Sequence, residues 1–383
     1  MEILFISHKY PPSTGGMEKQ SYELINGMKA YTKVHTIVYD GKQSRLRFFL
    51  TLDRRISKYR KANPGISVIH YNDALMATFC LMHKGHKELK RVVTVHGLDI
   101  VFPLSFYQKN ILPRFNKYDL IIAVSQATAD ACVTRGINRK KVVVINNGVD
   151  INISPKSDRK KVDELLTFKY NINTKNKQIL VALGRPVKRK GYSWFIRNVS
   201  PKLDKNFITL LIGPINTEKR RIMDLFPDQL THHLELLLGL PSDERTIDKM
   251  LTSMWISDKV VRTGKLTFNE ITEIMSVADA FVMPNIEVEG DMEGFGLVCL
   301  EAVISGAKVF AAASGGITDA IQDGKNGWLL TSGDHEEWIR KLNNIRTHDY
   351  DQELPTQQRI AYTTENFSWE KMVKQYFEQL QRL

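Results

Sequence analysis

The sequence predicts an α/β protein made of two doubly wound parallel sheets. Three observations carry this reading. Short apolar runs without polar alternation recur in both halves, as expected of strands buried on two faces. Helical periodicity fills the gaps between them, and the rhythm starts afresh after a polar stretch in the middle of the chain. The length, 383 residues, favours two domains over one.

In the first half the expected strands are Ile3–Ser7, Val34–Tyr39, Val68–Tyr71, Val92–His96, Leu120–Ser125 and Val142–Asn146. Residues Ile153–Lys177, rich in Lys, Asp and Asn, read as a linker region with a boundary near residue 160. The second half resumes with Gln178–Gly184, Ile208–Gly213, Val260–Thr263, Ala280–Pro284 and Lys308–Ala312. The expected domains are residues 1–160 and 161–366, with an amphipathic helix in 367–383 crossing back to the first. Pro214–Lys259 is long for one crossover and leaves room for extra helix.

Composition is that of an ordinary globular chain, 43% apolar and 25% charged. No apolar run approaches the ~18 residues needed to span a bilayer. Met1–Ile6 runs straight into a strand without a signal-peptide pattern. Cys80, Cys132 and Cys299 are scattered and odd in number, which fits a reducing cytoplasm rather than a disulfide or metal framework. The net charge of +12 is one-sided: residues 1–170 hold 28 Lys and Arg against 14 Asp and Glu, the remainder 26 against 28. An anionic partner for the first half follows, and no aromatic-basic pattern marks that partner as nucleic acid. Ser44–Lys61 sharpens the point. Phe48, Phe49, Leu52, Ile56 and Tyr59 share one helical face, with Arg and Lys around the rest. This suits a membrane-surface helix or a core-facing one, and the basic excess favours the membrane.

Ligands of open α/β sheets bind beyond the carboxyl ends of the strands, so two such units predict a site in the cleft between them. Residues suited to a phosphorylated ligand fall at those ends. Gly15 and Gly16 follow the first strand, where bare backbone can approach a phosphate. His96, before Gly97, ends the fourth strand, with Asp99 in reach to orient it or to begin the next turn. Gly184-Arg185-Pro-Val-Lys-Arg-Lys190-Gly191 follows the first strand of the second half, and four of residues 185–190 are basic. Arg185 offers a fork for two phosphate oxygens and Lys190 a compact charge. Glu293-Gly294-Phe295-Gly296-Leu297 leads into a helix that carries Glu301 and ends at Gly306. Glycines opening a helix expose N–H groups at its positive end. Glu301 should be buried and need hydroxyl partners. A glycosidase-like use of Glu293 and Glu301 would not call for the surrounding cations. Asp349-Tyr350-Asp351 has the form of a metal–diphosphate motif but follows no apolar strand, so it reads as a loop, and no metal is expected.

Taken together these residues resemble the retaining glycosyltransferases of family 4, with the GT-B fold. The resemblance covers nearly the whole chain. Its most specific parts are Glu293-Gly-Phe-Gly with Glu301, the Glu-x7-Glu motif, and Gly184-Arg185 with Lys190-Gly191. Asn147-Gly148-Val149-Asp150 and Gly315-Gly316 also look like the family. The resemblance implies that Arg185 and Lys190 hold a diphosphate, and that the amides of Phe295, Gly296 and Leu297 meet the donor sugar and phosphate. It implies that Glu301 binds ribose hydroxyls and Glu293 the transferred sugar. Gly16 would approach the diphosphate, His96 the reacting carbon, and Thr263–Phe268 the base. Asn72 stands where many members carry a second histidine, and Pro214–Lys259 is longer than usual.

The expected activity is hexosyl transfer, with retention and without metal or other cofactor, from a nucleotide-diphosphate sugar to a surface-polysaccharide or lipid-linked acceptor. The expected setting is the cytoplasmic face of an anionic membrane. The rival readings are a nucleotide-sugar epimerase on the same fold and a non-catalytic binding partner.

Overall fold

The computed structural model describes residues 1–42, 44–81, 88–153, 157–215, 243–252, 258–345, 347–348 and 350–383. Most of the stretch 214–259 and residue 349 lie outside the described residues. The chain forms two compact units: Met1–Val149 with Phe367–Leu383, and Asp150–Asn366.

The first unit is a six-stranded sheet of β1 (Glu2–Ser7), β2 (Lys33–Val38), β3 (Ile66–Tyr71), β4 (Lys90–Val95), β5 (Leu120–Ala123) and β6 (Val142–Val144). The order is β2-β1-β3-β4-β5-β6, parallel throughout. Both faces are covered, and β1 shows why its apolar run does not alternate. Leu4 and Ile6 face a layer containing Phe48, Leu52 and Ile56. Ile3 and Phe5 point the other way, with Leu24, Ile25 and Tyr376. The helix Trp369–Gln381 belongs to this second layer and lies close against the helix Gly16–Met28. A Cβ on Gly27 would come within 2.7 Å of Val373 Cγ2.

The second unit repeats the plan with β7 (Gln178–Leu183), β8 (Phe207–Ile212), β9 (Val260–Gly264), β10 (Ala280–Met283), β11 (Val309–Ala312) and β12 (Trp328–Leu330). The order is β12-β11-β10-β7-β8-β9, again parallel. Sequence reading missed β12, whose three residues pair with Phe310–Ala312. A run that short carries too little periodicity to be seen. The 153–177 stretch is not plain linker. It contains the helix Arg159–Tyr170, whose Val162 and Leu166 enter a core layer of this unit.

Strand order places a reversal of winding in each sheet. In the first unit the chain leaves β1 for β2 on one side and resumes at β3 on the other. In the second it leaves β7 for β8 and resumes at β10. At such a point adjacent loops diverge and open a crevice at the carboxyl edge.

The 44–61 region corrects an expectation. It is two helices, Arg45–Leu50, capped by Ser44, and Leu52–Ala62, which meet at Thr51. Phe48, Leu52 and Ile56 are fully buried in the first unit's core. Burial of each side chain is worth about 1.5–3 kcal/mol, so this face is spent on folding and is not available to a bilayer. Tyr59 lies outside the core, at 38% exposed. Among the described residues no helix is long and apolar enough to cross a membrane.

Candidate active site

In the second unit the crevice between β7 and β10 brings together most of the residues singled out from the sequence. After β7 the chain passes Gly184, with φ +142, and the exposed Arg185, then makes a tight turn over Lys188–Lys190. Gly191, at φ +66, ends the turn and starts the helix Tyr192–Asn198. Ile286, beyond β10, donates its N–H to the Arg189 carbonyl at 3.0 Å, which fastens the turn to the neighbouring strand end.

The turn aims two cations inward, onto Glu293. Lys190 Nζ lies 3.0 Å from Glu293 Oε2 and Arg189 Nε 3.2 Å from the same oxygen. Arg189 also reaches both carboxylate oxygens of Asp291, at 3.1 Å each. Asn285 Nδ2 is 3.5 Å from Glu293 Oε2. Burial alone would favour a neutral Glu293. The charges of Lys190 and Arg189 outweigh it and hold the carboxyl down at about 2. Lys190 is 7% exposed, and a polar group so buried needs a partner such as this one. An ammonium has three protons, so one bond to Glu293 leaves two for a ligand oxygen.

Behind Glu293 the backbone is pinned. Its carbonyl accepts the N–H of Gly316 at 2.8 Å, and a Cβ on Gly315 would sit 2.8 Å from the same oxygen. Gly315 is therefore required both by this close approach and by its φ of +55. Gly296, with φ +89, caps the helix Leu297–Ile304. A Cβ there would meet nothing nearer than 3.5 Å, so its backbone angle, not crowding, calls for glycine. Phe295 is buried beside it at 3% exposed, and Gly294 and Leu297 are half-buried. Glu301 is half-buried, not buried as expected, because its position lies at the edge of the helix's apolar face. At the ends of β7, β8 and β9 a small open hollow is lined by Gly184, Tyr192, Gly213 and Arg262 among others. Glu244 and Asp248 fix the Arg262 guanidinium at 2.7 and 2.6 Å.

In the first unit the Gly15-Gly16 loop is exposed and leads into the helix Gly16–Met28. Glu18 in its first turn is faced by Lys9, 3.6 Å away, which offsets a carboxylate close to this helix start. His96 follows β4 and donates from Nε2 to the Asn72 carbonyl at 2.8 Å, so in the neutral ring Nδ1 is the acceptor. Asp99 does not orient that ring. Its oxygens accept the backbone N–H groups of His96, at 2.9 Å, and Ala74, at 3.2 Å. It therefore sets the loop and leaves the ring to Asn72.

Sequence reading missed two features. His8 and Asp73 meet across the β1–β3 switch point, with Nδ1 2.9 Å from Oδ2 and both residues buried. Asp73 also caps the helix Ala74–Cys80. Nothing local in the sequence links residues so far apart. Arg189 was visible only as a member of a basic run, and Asp291 was not singled out. Which cation of a run turns inward depends on the αL glycine that ends the turn. Asp351, from the Asp-x-Asp run, takes Lys308 at 2.8 Å and Arg359 at 3.2 Å, so it is spent on ion pairs within the fold.

The Glu293 cluster predicts an acid limb of stability. A carboxyl depressed from about 4.5 to about 2 contributes fully above about pH 4.5 and progressively less as pH falls toward 2. The two values differ by enough for roughly 3 kcal/mol. Glu270, also held at about 2 by its hydrogen bond to Lys169, titrates in the same window. E293Q should therefore lose stability at neutral pH and show a flatter, but not flat, dependence between pH 5 and 2. Urea unfolding across that range checks it.

The family model for glycosyl transferases group 1 matches residues 163–367, and that for glycosyltransferase family 4 matches residues 12–153. The chain is 31% identical over 166 residues to the sulfoquinovosyl transferase SQD2 of Arabidopsis thaliana, covering 42% of this chain and 31% of that one. It is 22% identical over 307 residues to the putative colanic acid biosynthesis glycosyltransferase WcaL of Escherichia coli, covering 79% and 66%. It thus spans less than two thirds of either relative. The solved structure of Anabaena Alr3699/HepE in complex with UDP-glucose superposes with a TM-score of 0.71 at 21% identity, over all of both chains. The paired sheets are those of the GT-B fold. With the group 1 model extending over more than half of its length, the chain belongs to the glycosyl transferases group 1 family.

Proposed function

We propose that this protein transfers a hexose from a nucleotide-diphosphate sugar to a surface-polysaccharide or lipid-linked acceptor, with retention and without a metal. The observation that carries the reading is the convergence of Lys190, Glu293 and the glycine-capped start of the helix Leu297–Ile304 at the β7–β10 switch point. Cleaving the sugar–phosphate bond puts negative charge on the leaving diphosphate. Fixed cations and helix-end amides stabilise that charge without reorganising. Arg185 and Lys190 would take the diphosphate, with the amides of Phe295, Gly296 and Leu297. Glu293, ionised and acceptor-only, suits the hydroxyls of the transferred sugar. Glu301 would take the ribose, and Thr263–Phe268 the base, chiefly through backbone groups. Gly16 and His96 would act from the first unit, the acceptor side. In a front-face reaction the leaving phosphate accepts the acceptor's proton, so no strong protein base is required.

The relatives support this reading. HepE was solved with UDP-glucose, and WcaL is named for colanic acid biosynthesis. The test is a thermal-shift panel of UDP, GDP and ADP with their glucose and mannose conjugates. Stabilisation by one family of nucleotides supports a donor site and names the base. No response to any of them sinks the reading. NMR of the donor sugar before and after turnover reports retention, or a changed sugar that would favour an epimerase. Turnover abolished by EDTA and restored by Mg²⁺ would remove metal independence.

The membrane part of the proposal rests on charge. Arg45, Arg47, Arg54, Lys58 and Lys61 are exposed on the helices whose Phe48, Leu52 and Ile56 are in the core. Attraction to an anionic surface of about 1 kcal/mol per basic residue near it is expected. Co-sedimentation with phosphatidylserine vesicles should fall several-fold in the triple variant R54E/K58E/K61E and in 0.5 M salt. Equal sedimentation with neutral vesicles would contradict it.

A further inference from the structure

We propose that Arg189, locked onto Asp291, is a positioning residue that fixes Glu293 for the donor sugar. The inference rests on the donor-site reading above and goes beyond it. Three contacts define the clamp. Nη1 of the guanidinium donates to both oxygens of Asp291 at 3.1 Å, while Nε meets Glu293 at 3.2 Å. The side chain of Asp291 is 2% exposed and that of Arg189 15%. Burying charges so fully is costly unless they are paired, and Asp291 has no role in the proposed chemistry to justify it. Its role is to anchor Arg189.

A rigid planar guanidinium held at two of its nitrogens, Nη1 on Asp291 and Nε on Glu293, resists swinging, and so does the Glu293 oxygen it holds. Lys190 holds the same oxygen but on a flexible stem, and it is also needed by the diphosphate. Arg189 therefore supplies the part of Glu293's orientation that survives when Lys190 turns to a phosphate. Such support keeps a binding group within the fraction of an ångström that productive contact requires. A lysine at 189 would supply charge without the second, rigidly placed nitrogen.

The experiment compares the affinity of each nucleotide sugar, UDP-, GDP- and ADP-glucose and GDP-mannose, with that of its parent diphosphate by calorimetry. The ratio of the two dissociation constants is the contribution of the sugar. R189M alone would leave two buried carboxylates short of a cation and could fail to fold. R189M/D291N removes a cation and an anion together and is the main variant, with its thermal midpoint as the folding check.

The inference expects the ratio to fall at least fivefold in R189M/D291N, with diphosphate affinity within threefold of wild type. It expects R189K to recover less than half of the loss on a logarithmic scale. An unchanged ratio in the folded double variant, or full recovery by R189K, overturns it. So does a wild type whose sugar conjugates bind no better than the diphosphates. E293Q separates the two levels. If E293Q leaves the ratio intact, the assignment of Glu293 to the sugar fails. If E293Q collapses it and R189M/D291N does not, only the clamp fails.

Discussion

Replacing Lys190 by alanine is expected to slow release of nucleoside diphosphate from the donor by about a hundredfold or more, the scale for losing one preorganised group at a developing charge. The argument starts from burial. Lys190 is 7% exposed, and its ammonium lies 3.0 Å from Glu293. An ion brought this far out of water is retained for a partner, and Glu293 uses only one of its three protons. The variant changes two things at once, because it also removes a cation that keeps Glu293 ionised. Arg189 remains, so the stability cost should stay near 1–3 kcal/mol, below that of orphaning a buried charge outright. K190A/E293Q separates the two effects. Restoring charge balance should return most of the stability and none of the turnover. If turnover returns with stability, Lys190 serves only to neutralise Glu293 and its assignment to the diphosphate is wrong.

The same residue shows how far the sequence could be read. The fold was legible because strands buried on both faces leave uninterrupted apolar runs, as Ile3–Ile6 do on β1. The helix opened by Gly296 was legible because glycine before an apolar helical stretch has few other meanings. What Lys190 touches was not legible. The run from 185 to 190 contains four cations, and their directions are set by a 3-10 turn and by contact with β10, about 100 residues later in the chain. The pairing of His8 with Asp73 failed for the same reason, since strand order, not spacing, makes β1 and β3 neighbours. The 44–61 region failed differently. An amphipathic pattern states that one face is apolar and leaves open whether protein or lipid covers it. The covering residues here come from strands elsewhere in the sheet.

Gly191→Ala should be more damaging than its one added carbon suggests, and a second glycine provides the reference. Gly191 sits at φ +66 and Gly333 at φ +81, both in the second unit. An L-residue in this region costs about 1–2 kcal/mol. Around Gly333 a Cβ would find nothing within 4 Å, so Gly333→Ala should cost only that backbone term. At Gly191 the added carbon would overlap the Pro284 carbonyl oxygen and lie 3.3 Å from Ile286 Cγ2. A backbone carbonyl at a strand end cannot rotate away, so the turn must lift off β10. Lifting it breaks the 3.0 Å bond from Ile286 N–H to the Arg189 carbonyl and carries Arg189 and Lys190 away from Glu293. At about 2–4 °C per kcal/mol for a unit of this size, Gly333→Ala should lower the thermal midpoint by roughly 2–8 °C. Gly191→Ala should lower it at least twice as far. The rates should diverge more than the midpoints. Gly333→Ala should stay within about twofold of wild type at 25 °C, whereas Gly191→Ala should fall near the level of the Lys190 variant, since both withdraw the same cation. Equal midpoints for the two alanine variants would mean that no close approach exists at Gly191. A destabilised but fully active Gly191→Ala would mean that the turn's position, and the cations it carries, do not matter to turnover.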